Sequence, residues 1–275
     1  MKPKDRNELP ISERELDGMT ADLADAHHET LPALHETLGA WEADTDDEPE
    51  GLLALTGVTA SRRGFLLGTG ALLCGAALVA AGGGRGATAF AAGLPSGTRS
   101  GRPQAQKLTG DLVVVALAAS LENLAVATYQ SGIQAAQAGH LGTVPAAVVT
   151  FATTAQSQHR DHAAAWNAVL TSAKKTKVTG VDLTVKNGVI DPAFAQVTDV
   201  TGLAKLALEL ENVAAATYLA AIGVVKNPAG IQTAATIEPV EEQHAAILNF
   251  VLGQYPVPNS FTPTTGARPT SDQIG

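Results

Sequence analysis

The 275-residue chain is rich in apolar residues (45%) but poor in aromatic ones (4%), so its core is expected to consist mainly of Ala, Val and Leu. Residues 1–61 hold 15 acidic and 4 basic residues, which more than accounts for the net charge of −9. No basic stripe follows that could bind phosphates, which argues against nucleic-acid binding. With Cys74 as the single cysteine, intrachain disulfides and thiolate-rich zinc sites are excluded, so any metal would need His and carboxylate ligands.

Residues 1–60 form an acidic N-terminal arm, which we expect to be partly disordered. The arm contains apolar residues at helical spacing, which predicts a short amphipathic helix: Leu31, Leu34, Leu38 and Trp41. The acidic run at 44–50 is expected to be a solvated linker. Three histidines in the arm are expected to lie on the surface: His27, His28 and His35.

Two adjacent arginines, Arg62 and Arg63, introduce an apolar, Gly-rich segment at 61–91 that ends in A-x-A sites. The pattern resembles a twin-arginine export signal, which predicts transport by the Tat machinery to the periplasm, cell wall or medium. Because the apolar run is near the minimum length for spanning a membrane, retention as a membrane anchor is the alternative. Residues 92–107 are expected to be a linker.

Residues 108–252 show the pattern of four long helices. The predicted helices cover about 108–138, 145–173, 200–226 and 230–252, with a kink or restart at Pro239 in the last one. Residues 176–194 are expected to be non-helical, and the Pro/Thr-rich tail 253–275 irregular. Short, long and short connections predict an all-α, antiparallel four-helix bundle with one long crossover between helices 2 and 3.

An internal repeat relates the two halves of this bundle. ASLENLAVATYQSGI (119–133) returns as LELENVAAATYLAAI (208–222), and the copies share a Glu at the same place on an apolar face, Glu122 or Glu211. A lone ionised carboxylate there is costly unless it is paired, protonated or metal-bound. The repeat predicts two hairpins related by a pseudo-twofold axis.

The second and fourth helices repeat as well. HAAAWNAVL (162–170) aligns with HAAILNFVL (244–252), which places His162 opposite His244. Glu241 stands three residues before His244, and His159 stands three residues before His162, so each pair shares one helix face. Three Glu and three His can thus converge from four helices, which favours a metal site over isolated core histidines.

This ligand pattern resembles the ferritin-like di-metal carboxylate bundle, over residues 108–252. The resemblance implies terminal ligands Glu122 and Glu211, a bridging Glu241, and one metal capped by each of His162 and His244. It also implies Fe or Mn as cofactor, one or two ions, with Zn as a further option, and either oxidation of ferrous iron or removal of peroxide.

Tyr129 and Tyr218 lie two turns beyond their Glu on the same face. In similar bundles such tyrosines hydrogen-bond to the metal ligands, and the alternative is a plain core position. Trp166 is interpreted as a core residue. Gln156 could offer a weak oxygen ligand, although an ordinary polar position is favoured.

His159 departs from the family pattern, because it stands where a second bridging Glu is expected. A neutral imidazole offers one lone pair to one metal, so an asymmetric pair, a single metal or a metal-free site all stay open. Two other functions stay open too: a non-catalytic, stress- or desiccation-related envelope protein, and a membrane-tethered sensor whose acidic arm binds a cytoplasmic partner. The oligomeric state is also open, with a homodimer among the options.

Overall fold

The structure, a computed structural model, describes residues 11–39, 108–272 and 274–275. That part of the chain contains five long helices and no strand: α1 (Glu13–Gly39), α2 (Asp111–Gln137), α3 (Ala146–Ser172), α4 (Val200–Ile222) and α5 (Pro228–Val251). The prediction of an all-α fold is confirmed. The predicted export signal with Arg62 and Arg63, the linker 92–107 and Trp41 lie outside the described residues.

Helices α2 to α5 form the predicted bundle of two hairpins. Helix α2 packs on α3, α4 packs on α5, and the hairpins meet where α2 contacts α4. The Asp199 carboxylate accepts from Gly202 N at 2.7 Å and caps α4, while the Asn227 side chain caps α5, whose first residue is Pro228. The predicted pattern of two hairpins and one long crossover between α3 and α4 is therefore confirmed.

Many of the buried side chains in the described helices are alanines. Among the described helices, α2 alone is long and apolar enough to cross a membrane, but 72% of its apolar window is buried inside the bundle. Buried Ala118, Ala119 and Ala125 along this helix let neighbouring backbones approach closely. The apolar character of α2 is therefore accounted for by its place in the core.

Pro239 does not interrupt α5, contrary to the predicted restart. The helix runs without a break from Pro228 to Val251. Pro239 and Ala235, whose carbonyl would accept the missing hydrogen bond, both lie on the exposed face. Water can satisfy that carbonyl there, which explains why the helix continues.

The crossover is more helical than predicted. Residues 176–194 were expected to be non-helical, but they include three short helical segments: Leu183–Val185, the π-helical Lys186–Ile190, and Asp191–Phe194. Asp182 caps the first, since its carboxylate accepts from Val185 N at 2.8 Å. Val185 and Ile190 are buried in a cluster with α2 and α4 side chains, so tertiary packing stabilises these turns.

Helix α1 is longer than predicted and packs against both α3 and α5. A reciprocal capping box starts it: Glu15 N donates to Ser12 Oγ at 3.2 Å, and Ser12 N donates to Glu15 Oε2 at 3.0 Å. Buried Leu16, Leu23 and Leu34 form its inner stripe. This part of the N-terminal arm is therefore bound to the bundle.

His27 lies on that same inner stripe, so its predicted surface position is wrong. It stands four residues after Leu23, and only 6% of it is exposed. His28 is exposed as expected, and the side chain of His35 lies outside the described residues. Burial lowers the pKa of His27, although its hydrogen bond with Asp161 opposes that effect.

The tail after α5 has no helix or strand in its described residues, but its end is attached to the crossover. Ile274 forms an isolated antiparallel bridge with Asp182, and Gly275 N donates to Val181 O at 2.9 Å. Arg268 N donates to Thr217 Oγ1 at 3.0 Å, which ties the tail to α4. The tail is irregular yet docked.

Candidate metal centre

Six ionisable side chains meet in the middle of the bundle, and each is at most 2% exposed. Helices α2 and α4 contribute one carboxylate each, and α3 and α5 contribute the two residues of an i, i+3 pair. The six are the ones that the sequence pattern singled out: Glu122, His159, His162, Glu211, Glu241 and His244.

These side chains form two overlapping groups of four. One contains Glu122, His159, His162 and Glu241, and the other contains His159, Glu211, Glu241 and His244. In each group, one candidate ligand atom per residue lies within 4.8 Å of all the others. Glu241 and His159 belong to both groups, so the cluster has two adjoining halves with two shared members.

Glu241 is the least satisfied carboxylate in the described part of the chain. Its two buried oxygens, and the Nδ1 atom of His162, have no hydrogen-bond partner. Glu241 Oε1 lies 3.0 Å from His162 Nδ1, and Glu241 Oε2 lies 3.4 Å from His244 Nδ1. Buried polar atoms without partners are rare and costly, and a bound cation would satisfy these atoms.

His159 lies between Glu122 and Glu211, the two carboxylates that each belong to only one ligand group. Its Nδ1 is 2.8 Å from Glu122 Oε2, and its Nε2 is 3.3 Å from Glu211 Oε1. Burial lowers the pKa of His159, but the surrounding carboxylates outweigh burial and hold that pKa well above its usual value. The two nitrogens of this imidazole thus contact the carboxylates of both hairpins.

In each half of the cluster, the carboxylates and histidines shift one another's pKa values. Burial raises the pKa of Glu122, but His162 and His159 lower it to about 2. Burial lowers the pKa of His162, but Glu122 and Glu241 raise it to about 9. In the other half, burial raises the pKa of Glu211, but His159 and His244 outweigh burial and hold that pKa well below its usual value. Without metal, the cluster keeps ionised carboxylates by holding protons on its histidines.

The two tyrosines connect the two repeats. Tyr129 of α2 donates to Glu211 of α4, and Tyr218 of α4 donates to Glu122 of α2. Each tyrosine therefore bonds the carboxylate of the other hairpin. Burial and the neighbouring carboxylates raise the pKa of both phenols well above its usual value, so both remain donors at neutral pH.

Trp166 does more than fill the core. Its Nε1–H donates to Tyr218 Oη at 2.8 Å, and the two rings stack with centroids 6.1 Å apart. The corresponding residue of the second repeat is Leu248, which cannot donate. Only one half of the cluster therefore has a Trp–Tyr–Glu chain of hydrogen bonds.

Sequence reasoning missed two side chains that support the cluster, Gln158 and His27. Gln158 accepts from His244 Nε2 at 2.7 Å, and the ring of His27 lies against that of His162, with centroids 5.6 Å apart. The sequence signal for His27 was its position four residues after Leu23, which places both side chains on the same face of a helix. Gln156 donates to Val126 O and Gln130 Oε1, and its oxygen accepts from Arg160 at 2.6 Å.

In a comparison with protein-family models, residues 110–254 match the ferritin-like domain. No curated protein matches the chain. No solved structure matches it either. The matched residues include α2 to α5 in full and all six side chains of the cluster, and they leave out α1.

Proposed function

Because this chain belongs to the ferritin-like family, we propose that its Glu/His cluster binds a redox-active Fe or Mn ion and uses it to oxidise ferrous iron or to remove peroxide. The observation that carries the proposal is Glu241, whose two buried oxygens have no hydrogen-bond partner at the point shared by both ligand groups. Three carboxylates and three imidazoles suit Fe or Mn, and Zn is the redox-inert competitor.

Charge favours one strongly held ion. Three carboxylates supply −3, so one divalent ion leaves −1, whereas two leave about +1 in a buried site. His159, held between Glu122 and Glu211, places a neutral ligand where a fourth carboxylate would add the charge needed for a second ion. We therefore propose an asymmetric centre in which His159 limits the number of divalent ions.

The surrounding side chains orient the ligands and exclude water. Tyr129 and Tyr218 each hold one carboxylate oxygen of a terminal Glu, so the other oxygen remains directed into the cluster. A bound Fe or Mn would supply the one-electron redox chemistry. An apolar cavity of about 50 Å³ lies beside Tyr129, between Phe151 and Ala207, and has room for a small apolar oxidant such as dioxygen.

The test is metal content per chain. Full-length protein, purified without chelator, is offered Fe(II), Mn(II) or Zn(II) under anaerobic conditions and analysed for bound metal. Glu241→Gln keeps the shape of the side chain and removes its charge. Losing a residue that hydrogen-bonds to a metal ligand weakens metal binding by up to roughly 100-fold, and losing Glu241 itself is expected to weaken it by more. Glu238→Gln on the same helix is the matched control, since Glu238 belongs to neither ligand group. Equal metal content in both variants would disprove the proposed centre.

We propose further that the protein acts outside the cytoplasm and is exported in a folded state through the Tat machinery, either cleaved or retained at the membrane. The support is the pattern around Arg62 and Arg63, which lies outside the described residues. Replacing both arginines by lysine is expected to leave the protein in the cytoplasm, as measured by fractionation and immunoblotting. Unchanged export of the double variant would contradict the assignment.

A non-catalytic envelope protein remains the second candidate, because the cluster can neutralise itself. His159 contacts both Glu122 and Glu211, and the tyrosines hydrogen-bond to the same two carboxylates. In that case the buried network fixes the helix register. The measurement of metal content separates the two candidates. A protein that is helical and unfolds cooperatively but binds no metal supports the second candidate.

A further inference from the structure

Helix α1 reaches the two terminal histidines, His162 and His244, the first directly and the second through Gln158, although α1 lies outside the ferritin-like match. On one side, His27 packs edge-on against His162, with ring planes at 61°, and His27 Nε2 lies 3.2 Å from Asp161 Oδ2. Asp161 is 42% exposed, so it reaches solvent while its partner is buried. The ring of His162 is therefore packed from outside the bundle by a residue of α1.

On the other side, α1 acts through Gln158. The side-chain amide of Gln158 donates to the Leu23 carbonyl of α1 at 3.2 Å, which directs its oxygen toward His244. An amide oxygen only accepts, so His244 Nε2 must carry a hydrogen, and Nδ1 is the atom left for a metal. His244 Nδ1 faces Glu211 Oε2 and Glu241 Oε2, each at 3.4 Å.

We propose that α1 is a detachable cover that positions both terminal histidines for metal binding, with Gln158 and His27 as positioning residues. The inference rests on the proposed metal centre and adds a property to it: docked α1 slows the release of bound metal. Helix α1 packs against α3 and α5, the two helices that carry the i, i+3 ligand pairs. Its departure would expose the outer side of both pairs at once.

The order of segments along the chain indicates when α1 can cover the cluster. Residues 61–91, with the export pattern, stand between α1 and the bundle. Cleavage after that pattern would remove α1, and retention as an anchor would leave α1 and the bundle on opposite sides of a membrane. Both outcomes separate α1 from α3 and α5. Docked α1 therefore belongs to the chain before export, when the metal would be loaded.

The experiment undocks α1 in the full-length chain. Leu23→Asp places a charge on the buried stripe, and Ala26→Asp places the same charge on the exposed face of α1 as the control. Each variant is loaded with Co(II), and both the visible spectrum and the rate of Co(II) extraction by a chelator are recorded. Leu23→Asp is expected to accelerate extraction about tenfold to 100-fold, and Ala26→Asp is expected to match the unmodified chain.

Gln158→Leu is the second variant, and it leaves the α1 stripe intact. It is expected to accelerate extraction and to change the Co(II) spectrum, because His244 loses the acceptor that orients its ring. If Co(II) binds and neither variant changes the extraction rate or the spectrum, the cover is disproved and the metal centre stands. If the unmodified chain binds no Co(II), Fe(II) or Mn(II), the proposed function fails, and the cover fails with it.

Discussion

Replacing His159 by Glu is expected to raise the metal content from about one to about two divalent ions per chain, since it completes the ligand set of a di-metal bundle. His159 already lies between Glu122 and Glu211 and belongs to both ligand groups. A carboxylate there can bridge two ions and brings the site charge from −3 to −4, which balances two divalent ions. The measurement is elemental analysis after anaerobic loading and desalting.

His159→Gln is the matched control, because it also removes the imidazole but adds no charge. It is expected to bind no second ion. Two ions in the unmodified chain would show that the imidazole does not limit nuclearity. One ion in both the unmodified chain and the Glu variant would show that something other than bridging charge limits it.

The metal-free protein is expected to be most stable between about pH 4.5 and pH 6.5, with a large loss of stability above that window. His162 has its pKa raised from 6.5 to about 9, so its contribution is complete below pH 6.5 and is lost as pH rises through 9. A shift of that size corresponds to about 3 kcal/mol in the free energy of unfolding. Glu122 has its pKa lowered from 4.5 to about 2, so its contribution is lost as pH falls from 4.5 through 2.

Bound metal should abolish the loss of stability at alkaline pH, because histidines that bind metal are deprotonated across the whole measured pH range. The measurement is urea unfolding between pH 5 and 9.5, with chelator and with saturating Mn(II). The matched substitution His162→Gln should reduce the alkaline loss of stability in the metal-free protein, and the remaining loss comes from His159 and His244, whose pKa values are also raised. Equal stability of the metal-free chain at pH 6 and pH 9 would contradict the coupling between His162 and its carboxylates.

The sequence was sufficient for the bundle and for the six buried side chains, because both depend on local periodicity. Glu122 and Glu211 stood out as lone charges on apolar faces, and the repeat fixed their correspondence. The i, i+3 spacing then placed Glu241 and His244 on one helix face. Such features follow from the geometry of single helices and need no knowledge of how helices pack.

The features that were missed depend on contacts between distant segments. Gln158 has the spacing of an ordinary polar helix residue, and its role follows from an α1 carbonyl 135 positions away. Periodicity showed that α1 could bury one face but not which helices would cover it, so His27 was assigned to the surface. The tyrosines shared a face with their own Glu, yet each bonds the Glu of the other hairpin.

These crossed tyrosine bonds have an evolutionary consequence. A single hairpin contains a Glu whose tyrosine partner lies on the other hairpin, so neither half supplies the tyrosine bond of its own carboxylate. An ancestor made of one hairpin would have needed a second copy, and in such a homodimer every substitution appears in both halves. Gene fusion removes that constraint. The difference between His159 and Glu241 is available only to a chain in which the two halves are encoded separately.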